Sequence, residues 1–254
     1  MPTASVIIPT IGRKDCLSAC LESLYQQSNQ DFEIIKVEEE GPLAEIRNEG
    51  ASRARGSILI FIDDDVVCSP GWFDGILRGF RGNVGGVTGP AVVRGNYRRN
   101  RDVFKYGWIN NLFMDGRKML PGHISRSGAW TTGATEECGY EGDVEFLEAC
   151  NMAFTRDLFF EHNGFDTSYK GVGDWSEPDL AFRIRKSGYR MWFSKDARLE
   201  HRPSCSGAFK KRKSDSGNRL HNYELFSKRW IKPYWKHSLY KGILRTYYAL
   251  KNVK

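Results

Sequence analysis

Short apolar runs alternate with segments of helical periodicity through the first third of the chain. The runs are rich in β-branched residues, which predicts buried strands. The predicted strands span 5–9, 32–37, 57–62 and 84–93, and the predicted helices span 15–25, 43–55 and 70–80. Gly56 is a typical stop for the second helix. This alternation predicts an α/β fold with a doubly wound, mostly parallel sheet and helices on both of its faces.

The second half of the chain is less regular. Residues 94–145 are rich in Gly and aromatic side chains and have no clear period, which predicts an insertion over the sheet edge. The predicted elements that follow are a strand over 145–154, helices over 156–162 and 178–186, and a last strand pair over 189–193 and 197–200. His201 comes directly after that pair.

Composition and charge indicate a globular domain with a basic extension. Of 254 residues, 40% are hydrophobic and 27% are charged, which excludes a disordered chain. Residues 206–254 hold thirteen Lys and Arg against two acidic residues, whereas residues 1–205 carry a small acidic excess. A nucleic-acid reader usually clusters basic charge on a face of its fold, so no nucleic-acid partner is expected. The tail is interpreted as a separate electrostatic anchor.

Several features favour a cytoplasmic protein. No apolar run approaches the roughly 20 residues that span a bilayer. The first residues, MPTASVIIPT, lack the basic and apolar regions of a signal peptide. The six Cys are irregularly spaced, which favours reduced thiols over a zinc site or a disulfide framework.

Three consecutive carboxylates, Asp63–Asp65, follow the third predicted strand. Ligands of doubly wound sheets bind beyond the carboxyl ends of the strands, where 9–10 and 38–40 are also expected. Adjacent carboxylates at a buried strand end repel each other and are costly to desolvate. A bound divalent cation compensates them and can hold a diphosphate in turn. The sequence therefore predicts a cation site at this edge.

Four segments, in order along the chain, resemble the family 2 glycosyltransferases of the GT-A fold. They are SVIIPT, AEIRNEGASRARGSILIFIDDD, EACNMAFTRDLFFEHNGFD and WSEPDLAFRIRKSGYR. The resemblance covers the chain to about His201. It implies a GT-A catalytic domain over 1–205, with 94–145 as a variable acceptor or lid region. It also implies a hexosyltransferase-type enzyme that moves a sugar from a nucleoside-diphosphate donor with inversion, using Mn²⁺ or Mg²⁺.

The resemblance also implies site residues. Asp63, Asp65 and His201 are the expected metal ligands, with Asp65 the favoured direct ligand. Asp64 is expected at the ribose or the metal. The expected nucleotide-sugar contacts are Pro9, Thr10, Glu38 or Glu39, Arg47, Asn48, Asp63, Asp64 and Asn151.

The general base is left open between two residues. The family usually has an adjacent Glu-Asp pair followed by x-Asp-Leu. Aligned on Leu180, this chain has Ser176 and Glu177 in place of that pair, and Asp179 keeps the later acid. Glu177 is favoured as the base and Asp179 is the alternative. A nucleophilic Cys150 is not expected, because no His is near it in sequence and inversion needs no covalent step.

Two other classes of protein stay open. A nucleotidyltransferase would also bind a metal at a strand-end Asp, although IGRKD is a poor version of its phosphate loop. A non-catalytic nucleotide-sugar or glycan binder is the second alternative, against which the intact Asp63–Asp65 run and Glu177 argue.

The tail has two interpretations. Over 230–250, apolar and aromatic residues fall on one helical arc with Lys241 and Arg245 opposite. This pattern suits a helix on the anionic inner face of a membrane, beside a lipid-linked acceptor. It equally suits a helix packed on the domain, with a glycan acceptor. On the first interpretation, deleting 230–254 should spare hydrolysis of the donor.

Overall fold

The computed structural model describes residues 1–93, 112–115, 120–131, 139–203 and 216–252, with side chains up to 249. The strands are β1 (Ala4–Pro9), β2 (Phe32–Val37), β3 (Ile58–Ile62), β4 (Val66–Cys68), β5 (Val84–Thr88), β6 (Ala91–Val92), β7 (Gly142–Val144), β8 (Asn151–Thr155), β9 (Arg190–Phe193) and β10 (Leu199–His201). The helices are α1 (Lys14–Tyr25), α2 (Leu43–Arg53), α3 (Trp72–Gly79), α4 (Arg156–Glu161), α5 (Ser176–Lys186), α6 (Ser216–Trp230) and α7 (Trp235–Asn252).

A seven-stranded mixed sheet forms the centre of the molecule, in the order β2-β1-β3-β8-β5-β9-β7. The strands β1, β2 and β3 pair in parallel, as do β5 and β9. The strand β8 is antiparallel to both of its neighbours, and β7 is antiparallel to β9. The predicted α/β class and doubly wound, mostly parallel sheet are confirmed, with two antiparallel members that the pattern did not show.

The faces of this sheet bury two separate hydrophobic clusters. Along β3, Leu59 and Phe61 belong to one cluster, whereas Ile60 and Ile62 belong to the other. Alternate residues of a strand point to opposite faces, so both faces are covered. This burial explains why the strand reads as a continuous apolar run.

A second, three-stranded sheet corrects two sequence predictions. Its order is β4-β10-β6. The predicted strand over 84–93 is two strands, β5 and β6, which lie in different sheets. Between them, a side chain on Gly89 would collide with the carbonyl oxygen of Ala197. The predicted last strand pair is also wrong, because β9 lies in the large sheet and β10 in the small one. The predicted strand over 145–154 begins only at Asn151.

The two C-terminal helices are part of the main hydrophobic cluster. Tyr223 and Phe226 of α6 and Tyr240, Leu244 and Tyr248 of α7 are buried in the cluster that contains Leu59. The described part of the predicted extension therefore packs on the domain. The Lys/Arg run 210–213 lies outside the described residues.

The described part of the predicted insertion contains a buried histidine between two carboxylates. His123 Nδ1 lies 2.6 Å from Glu145 Oε2, and His123 Nε2 lies 3.0 Å from Asp115 Oδ1. Burial alone would lower the pKa of His123, but hydrogen bonds to Glu145 and Asp115 raise it above its ordinary value. Burial works against the charged form of Glu145 too, yet the hydrogen bond with His123 lowers its pKa. This trio ties the middle of the insertion to its last residue, Glu145, which directly follows β7.

Candidate active site

Two strand ends bring the first site residues together. In the parallel pairing of β1 and β3, Ile7 lies opposite Phe61. Pro9 and Thr10 therefore leave the sheet beside Asp63–Asp65. Thr10 Oγ1 donates a 2.6 Å hydrogen bond to Asp64 Oδ2, and both residues are buried. This contact fixes the loop after β1 against the acidic run.

Arg13 partly neutralises the acidic run, and the sequence analysis did not identify it. Its Nη1 lies 3.1 Å from Asp65 Oδ2, while Nε and Nη2 bind Asp64. Burial would lower the pKa of Arg13, but the carboxylates of Asp65 and Asp64 raise it. The sequence feature that could have identified Arg13 is its position in the loop after the first strand.

The three acids differ in their access to a ligand. The side chain of Asp63 is 32% exposed, against 2% for Asp64 and 8% for Asp65. Asp64 is held by Thr10 and Arg13, and its expected contact with the ribose or the metal stays a prediction. Asp63, rather than the favoured Asp65, is the carboxylate best placed to meet a ligand.

His201 reaches the acids through the small sheet. It lies opposite Val66 in the antiparallel pairing of β10 and β4. Its Nε2 lies 3.3 Å from Asp65 Oδ1 and 4.0 Å from Asp63 Oδ2. Burial would lower the pKa of His201, whereas its contacts with Cys150 and Asp65 raise it well above the ordinary value. The structure thus brings the three predicted metal ligands together.

Cys150 joins this group. One ligand atom each from Asp63, Cys150 and His201 lie within 4.8 Å of one another. Burial raises the pKa of the Cys150 thiol to about 11, although the neighbouring His201 opposes this. Sequence reasoning set Cys150 aside partly because no His is near it in sequence. The fold supplies that His from β10.

The charges of the cluster suit a divalent cation. Asp63, Asp64, Asp65 and Glu177 provide four carboxylates, and Arg13 and Arg47 provide two guanidinium groups within ion-pair distance of them. Two negative charges are left over among these six groups. The oxygen, nitrogen and sulfur donors present are the kinds that bind divalent metals. The residues therefore fit the metal that the sequence resemblance implies.

Glu177 lies in the first turn of α5 and is paired with Arg47. The helix begins at Ser176 and not at the predicted 178, so Glu177 is helical. Arg47 Nη1 donates a 2.5 Å hydrogen bond to Glu177 Oε1, and both side chains are buried. Arg47 Nη2 donates to the carbonyl oxygen of Ala149 and lies 3.7 Å from Asp63 Oδ1. Two nitrogens of this guanidinium thus join α2 to α5 and the acidic run, and the expected nucleotide-sugar contact of Arg47 stays a prediction.

The residue before α5 is held in an unusual backbone conformation. Trp175 has φ of 81°, which a bulky residue adopts only when its surroundings impose it. Its ring centroid lies 4.7 Å from those of Trp130 and Phe226 and 5.5 Å from that of Tyr223. The insertion and α6 therefore clamp the chain two residues before Glu177.

Asp179 occupies a different environment from Glu177. It is fully buried. Its carboxylate accepts hydrogen bonds from Arg183 Nε at 2.8 Å, Trp230 Nε1 at 2.8 Å, Tyr169 Oη at 3.1 Å and Arg229 Nη1 at 3.2 Å. Burial and the Asp179 carboxylate both raise the pKa of Tyr169. Asp179 thus joins α5 to the end of α6 and is shielded from solvent.

Two predicted donor-binding amides bind the protein itself. The side chain of Asn48 exchanges hydrogen bonds of 2.7 and 2.9 Å with the backbone of Phe165. Asn151 is fully buried, accepts from Trp72 Nε1 at 3.0 Å and donates to the carbonyl oxygen of Ala197 at 2.7 Å. Both amides therefore hold separate segments of the fold together, and the expected donor contacts of Asn48 and Asn151 stay predictions.

The loop after β2 lies at the same sheet edge. The backbone N–H of Thr10 donates to the carbonyl oxygen of Val37, which directly precedes Glu38. Glu38 and Glu39 are exposed; Glu39 Oε1 lies 2.9 Å from Arg53 Nη2, and Glu38 Oε1 lies 4.0 Å from Lys36 Nζ. Both carboxylates stay accessible, and nothing in the geometry favours one of them.

The sheet, its covering helices and the acidic strand end define the class of fold: an α/β domain of the GT-A type. Two solved structures share the fold. A mannosyltransferase, PcManGT, from Pyrobaculum calidifontis in complex with GDP-Man and Mn²⁺ has a TM-score of 0.59 at 17% identity, over 99% of this chain and 72% of that one. GalNAc-T7 with UDP, GalNAc and Mn²⁺ has a TM-score of 0.61 at 13% identity, over 98% and 55% of the two chains.

The sequence comparisons give a family profile and curated relatives to which parts of this chain are similar. The profile of the family described as "Glycosyl transferase family 2" matches residues 37–134. A glucosyl-dolichyl phosphate glucuronosyltransferase of Haloferax volcanii is 27% identical over 165 residues, covering 61% of this chain and 46% of that protein. A probable N-acetylgalactosaminyltransferase 6 of Caenorhabditis elegans is 25% identical over 219 residues, covering 83% and 34%. Over part of its length this chain is therefore similar to family 2 glycosyltransferases.

The chain spans less than half the length of these curated relatives. In the part of the chain that the structure describes, no helix is long and apolar enough to cross a bilayer.

Proposed function

We propose that this protein is a metal-dependent, inverting glycosyltransferase that moves a sugar from a nucleoside diphosphate to a hydroxyl group. One observation carries the proposal. Arg47 lies within ion-pair distance of both Glu177 and Asp63, which supports a candidate base and a candidate metal ligand in one site. The Mn²⁺ and nucleotide ligands named for the two structural neighbours support a similar donor here.

Asp63, Asp65 and His201 would hold the metal. The ion would be Mn²⁺ or Mg²⁺, and when bound it would supply positive charge to stabilise the leaving diphosphate. Pro9, Thr10 and the exposed carboxylate of Glu38 or Glu39 lie along the same edge, where the nucleoside would bind. Arg13 would keep Asp64 and Asp65 in place before the donor arrives.

Glu177 would act as the general base. Arg47 binds Oε1, so Oε2 is the oxygen that we expect to accept the proton of the acceptor hydroxyl. As that proton moves, the acceptor oxygen forms a bond to the anomeric carbon. The bond from that carbon to the diphosphate oxygen breaks, and its electron pair leaves with the diphosphate. A single displacement of this kind inverts the anomeric centre.

A lipid-linked acceptor at an anionic membrane is the favoured arrangement, with a glycan acceptor as the alternative. The Haloferax volcanii relative is named for a dolichyl phosphate-linked sugar. On α7, Trp235 and Leu239 are 64% and 51% exposed, while Tyr240 and Leu244 of the same helix are buried. Lys236 Nζ lies 5.5 Å from the centre of the Trp235 ring. Exposed apolar groups beside Lys suit insertion at the surface of an anionic bilayer.

Donor turnover tests the proposed reaction. The protein is incubated with Mn²⁺ and a panel of UDP-, GDP- and dTDP-sugars, and nucleoside diphosphate release is measured with and without EDTA. We expect metal-dependent release with one donor, reduced roughly 10²- to 10⁴-fold in Glu177→Gln. Donor-induced thermal stabilisation without release would instead indicate a binding protein. Pyrophosphate release from a nucleoside triphosphate would indicate a nucleotidyltransferase.

Vesicle flotation tests the membrane surface. We expect binding to vesicles that contain phosphatidylglycerol, none to pure phosphatidylcholine, and loss of binding in a Trp235→Ala/Leu239→Ala variant. Tyr25→Ala is the matched control, because Tyr25 is 67% exposed on α1. Equal flotation of the double variant and the control would refute the assignment of this surface.

A further inference from the structure

We propose that Cys150 is a ligand of the candidate metal site, and that its sulfur coordinates Zn²⁺ or Cd²⁺ bound there but does not coordinate Mn²⁺. The inference rests on the metal site of the proposed function. It concerns Cys150, to which the sequence resemblance assigns no metal-binding role.

The geometry places the sulfur among the other ligands. Candidate ligand atoms of Asp63, Cys150 and His201 lie within 4.8 Å of one another. A tetrahedral ion with bonds of about 2.0–2.3 Å holds its ligands about 3.3–3.8 Å apart. Movements of about 1 Å therefore bring the three atoms to bonding distance, which rotation of the partly exposed Asp63 and His201 side chains can provide.

The backbone around Cys150 is firmly held. The next residue, Asn151, binds Trp72 and Ala197 through its side chain, and its carbonyl oxygen accepts a 2.6 Å hydrogen bond from Thr88 Oγ1. The N–H of Asn151 donates to the carbonyl oxygen of Glu148 at 2.9 Å. These bonds fix the start of β8. Cys150 therefore stays beside His201 without a ligand to hold it there.

The ligand types separate two classes of metal. Mn²⁺ and Mg²⁺ prefer oxygen ligands, whereas Zn²⁺ and Cd²⁺ readily accept a thiolate together with imidazole and carboxylate. Forming the metal–sulfur bond replaces the thiol proton, which is released to solvent. Zn²⁺ also binds most mixed sites more tightly than Mn²⁺ does. We therefore expect Zn²⁺ to compete with Mn²⁺ and to depend on Cys150.

X-ray absorption at the zinc edge, on the full chain with one equivalent of Zn²⁺, tests the sulfur ligand. We expect a single Zn–S distance of about 2.3 Å with nitrogen and oxygen ligands at about 2.0–2.2 Å. Cys150→Ser should lose the sulfur contribution and weaken Zn²⁺ binding more than about tenfold. Cys150→Ala replaces Cys150→Ser in this measurement if the serine variant does not fold. Cys68→Ser is the matched control, because Cys68 is also buried at a strand and lies outside the cluster.

Mn²⁺ titrations separate this inference from the proposed function. We expect Cys150→Ser to weaken Zn²⁺ binding by a larger factor than Mn²⁺ binding, whereas the Cys68→Ser control should bind Mn²⁺ and release nucleoside diphosphate like the unchanged protein. Zinc bound only through nitrogen and oxygen, or a sulfur ligand that persists in Cys150→Ser and Cys150→Ala, overturns the inference while leaving the proposed function intact. If neither Mn²⁺ nor Zn²⁺ binds at Asp63 and His201, the metal-dependent function fails as well.

Discussion

Arg47 Nη1 lies 2.5 Å from Glu177 Oε1, although the two residues are 130 positions apart in the chain. The pair joins α2 to the first turn of α5 in a buried environment. A buried carboxylate without its partner is costly, so each residue constrains the other. The position of Glu177 near the N-terminus of α5 further stabilises its carboxylate.

Arg47→Met should lower the free energy of unfolding by about 3–5 kcal/mol, because it leaves Glu177 buried without a partner. Glu177→Gln should lower the free energy of unfolding by a smaller amount, because the amide oxygen of Gln can still accept a hydrogen bond from Arg47. In the double variant Arg47→Met/Glu177→Gln, part of the Arg47→Met loss should be recovered. Urea unfolding of all four proteins measures the coupling. Strictly additive effects would contradict a direct pair.

Asp63→Asn should weaken Mn²⁺ binding by more than about tenfold, because Asp63 is the exposed carboxylate of the acidic run. Asp65→Ala should also reduce metal-dependent donor binding. Asp64→Asn is the control: its side chain is enclosed by Thr10 and Arg13, so we expect a loss of stability with Mn²⁺ affinity retained. Calorimetric titration with Mn²⁺ measures all three, and a larger effect of Asp64→Asn than of Asp63→Asn would exclude this assignment.

Asp179→Asn should reduce stability by about 3–5 kcal/mol, because the buried carboxylate accepts hydrogen bonds from Arg183, Arg229 and Trp230. Its folded fraction should retain donor turnover, in contrast to Glu177→Gln. Denaturant unfolding and turnover per folded molecule are the two measurements. A stable Asp179→Asn protein without turnover would transfer the role of base to Asp179.

Deletion of 230–254 should prevent stable folding, which reverses the expectation that the deletion spares donor hydrolysis. It removes the Trp230 hydrogen bond to Asp179 and the buried side chains of Tyr240, Leu244 and Tyr248. Loss of one large buried aromatic side chain costs about 3–5 kcal/mol. Thermal unfolding of the truncated chain, compared with the full chain, measures the effect. A truncated protein with an unchanged melting temperature would contradict the packing of α7.

His123 should give stability a distinct pH dependence. Because the pKa of His123 is raised in the folded protein, its contribution to stability is fully present below about pH 6.5 and is lost as pH rises through the folded pKa. Because the pKa of Glu145 is lowered, its contribution is present above about pH 4.3 and is lost as pH falls through the folded pKa. The difference in unfolding free energy between the unchanged protein and His123→Gln should therefore be largest near pH 5–6 and smaller at pH 9. A difference that does not vary with pH would contradict the charged trio.

The sequence predicted the fold class because the signal was local. Buried parallel strands such as β3 read as apolar runs, and most of the predicted helices agree with the structure within two residues. The antiparallel direction of β8 and the membership of β10 in a second sheet depend on partners distant in the chain. No local pattern contains that information.

The candidate site was predicted only in part for the same reason. Asp63, Asp65 and His201 were identified, and the fold brings them together. Arg13, Cys150 and the pairing of Arg47 with Glu177 become visible only when distant segments meet. The resemblance also assigned Asn48 and Asn151 to the donor, which stays a prediction. Local sequence does not show that their amides bind the backbone of Phe165, the Trp72 ring N–H and the backbone of Ala197.

The C-terminal helices carry one further consequence. The end of α6 binds Asp179, and α7 buries one face in the main cluster while Trp235 and Leu239 point outward. A bilayer bound there would contact a helix that is fixed to the domain. The protein would then lie at one distance from the membrane and in one orientation. The polar headgroup of a lipid-linked acceptor would have to extend from the bilayer to reach the candidate site.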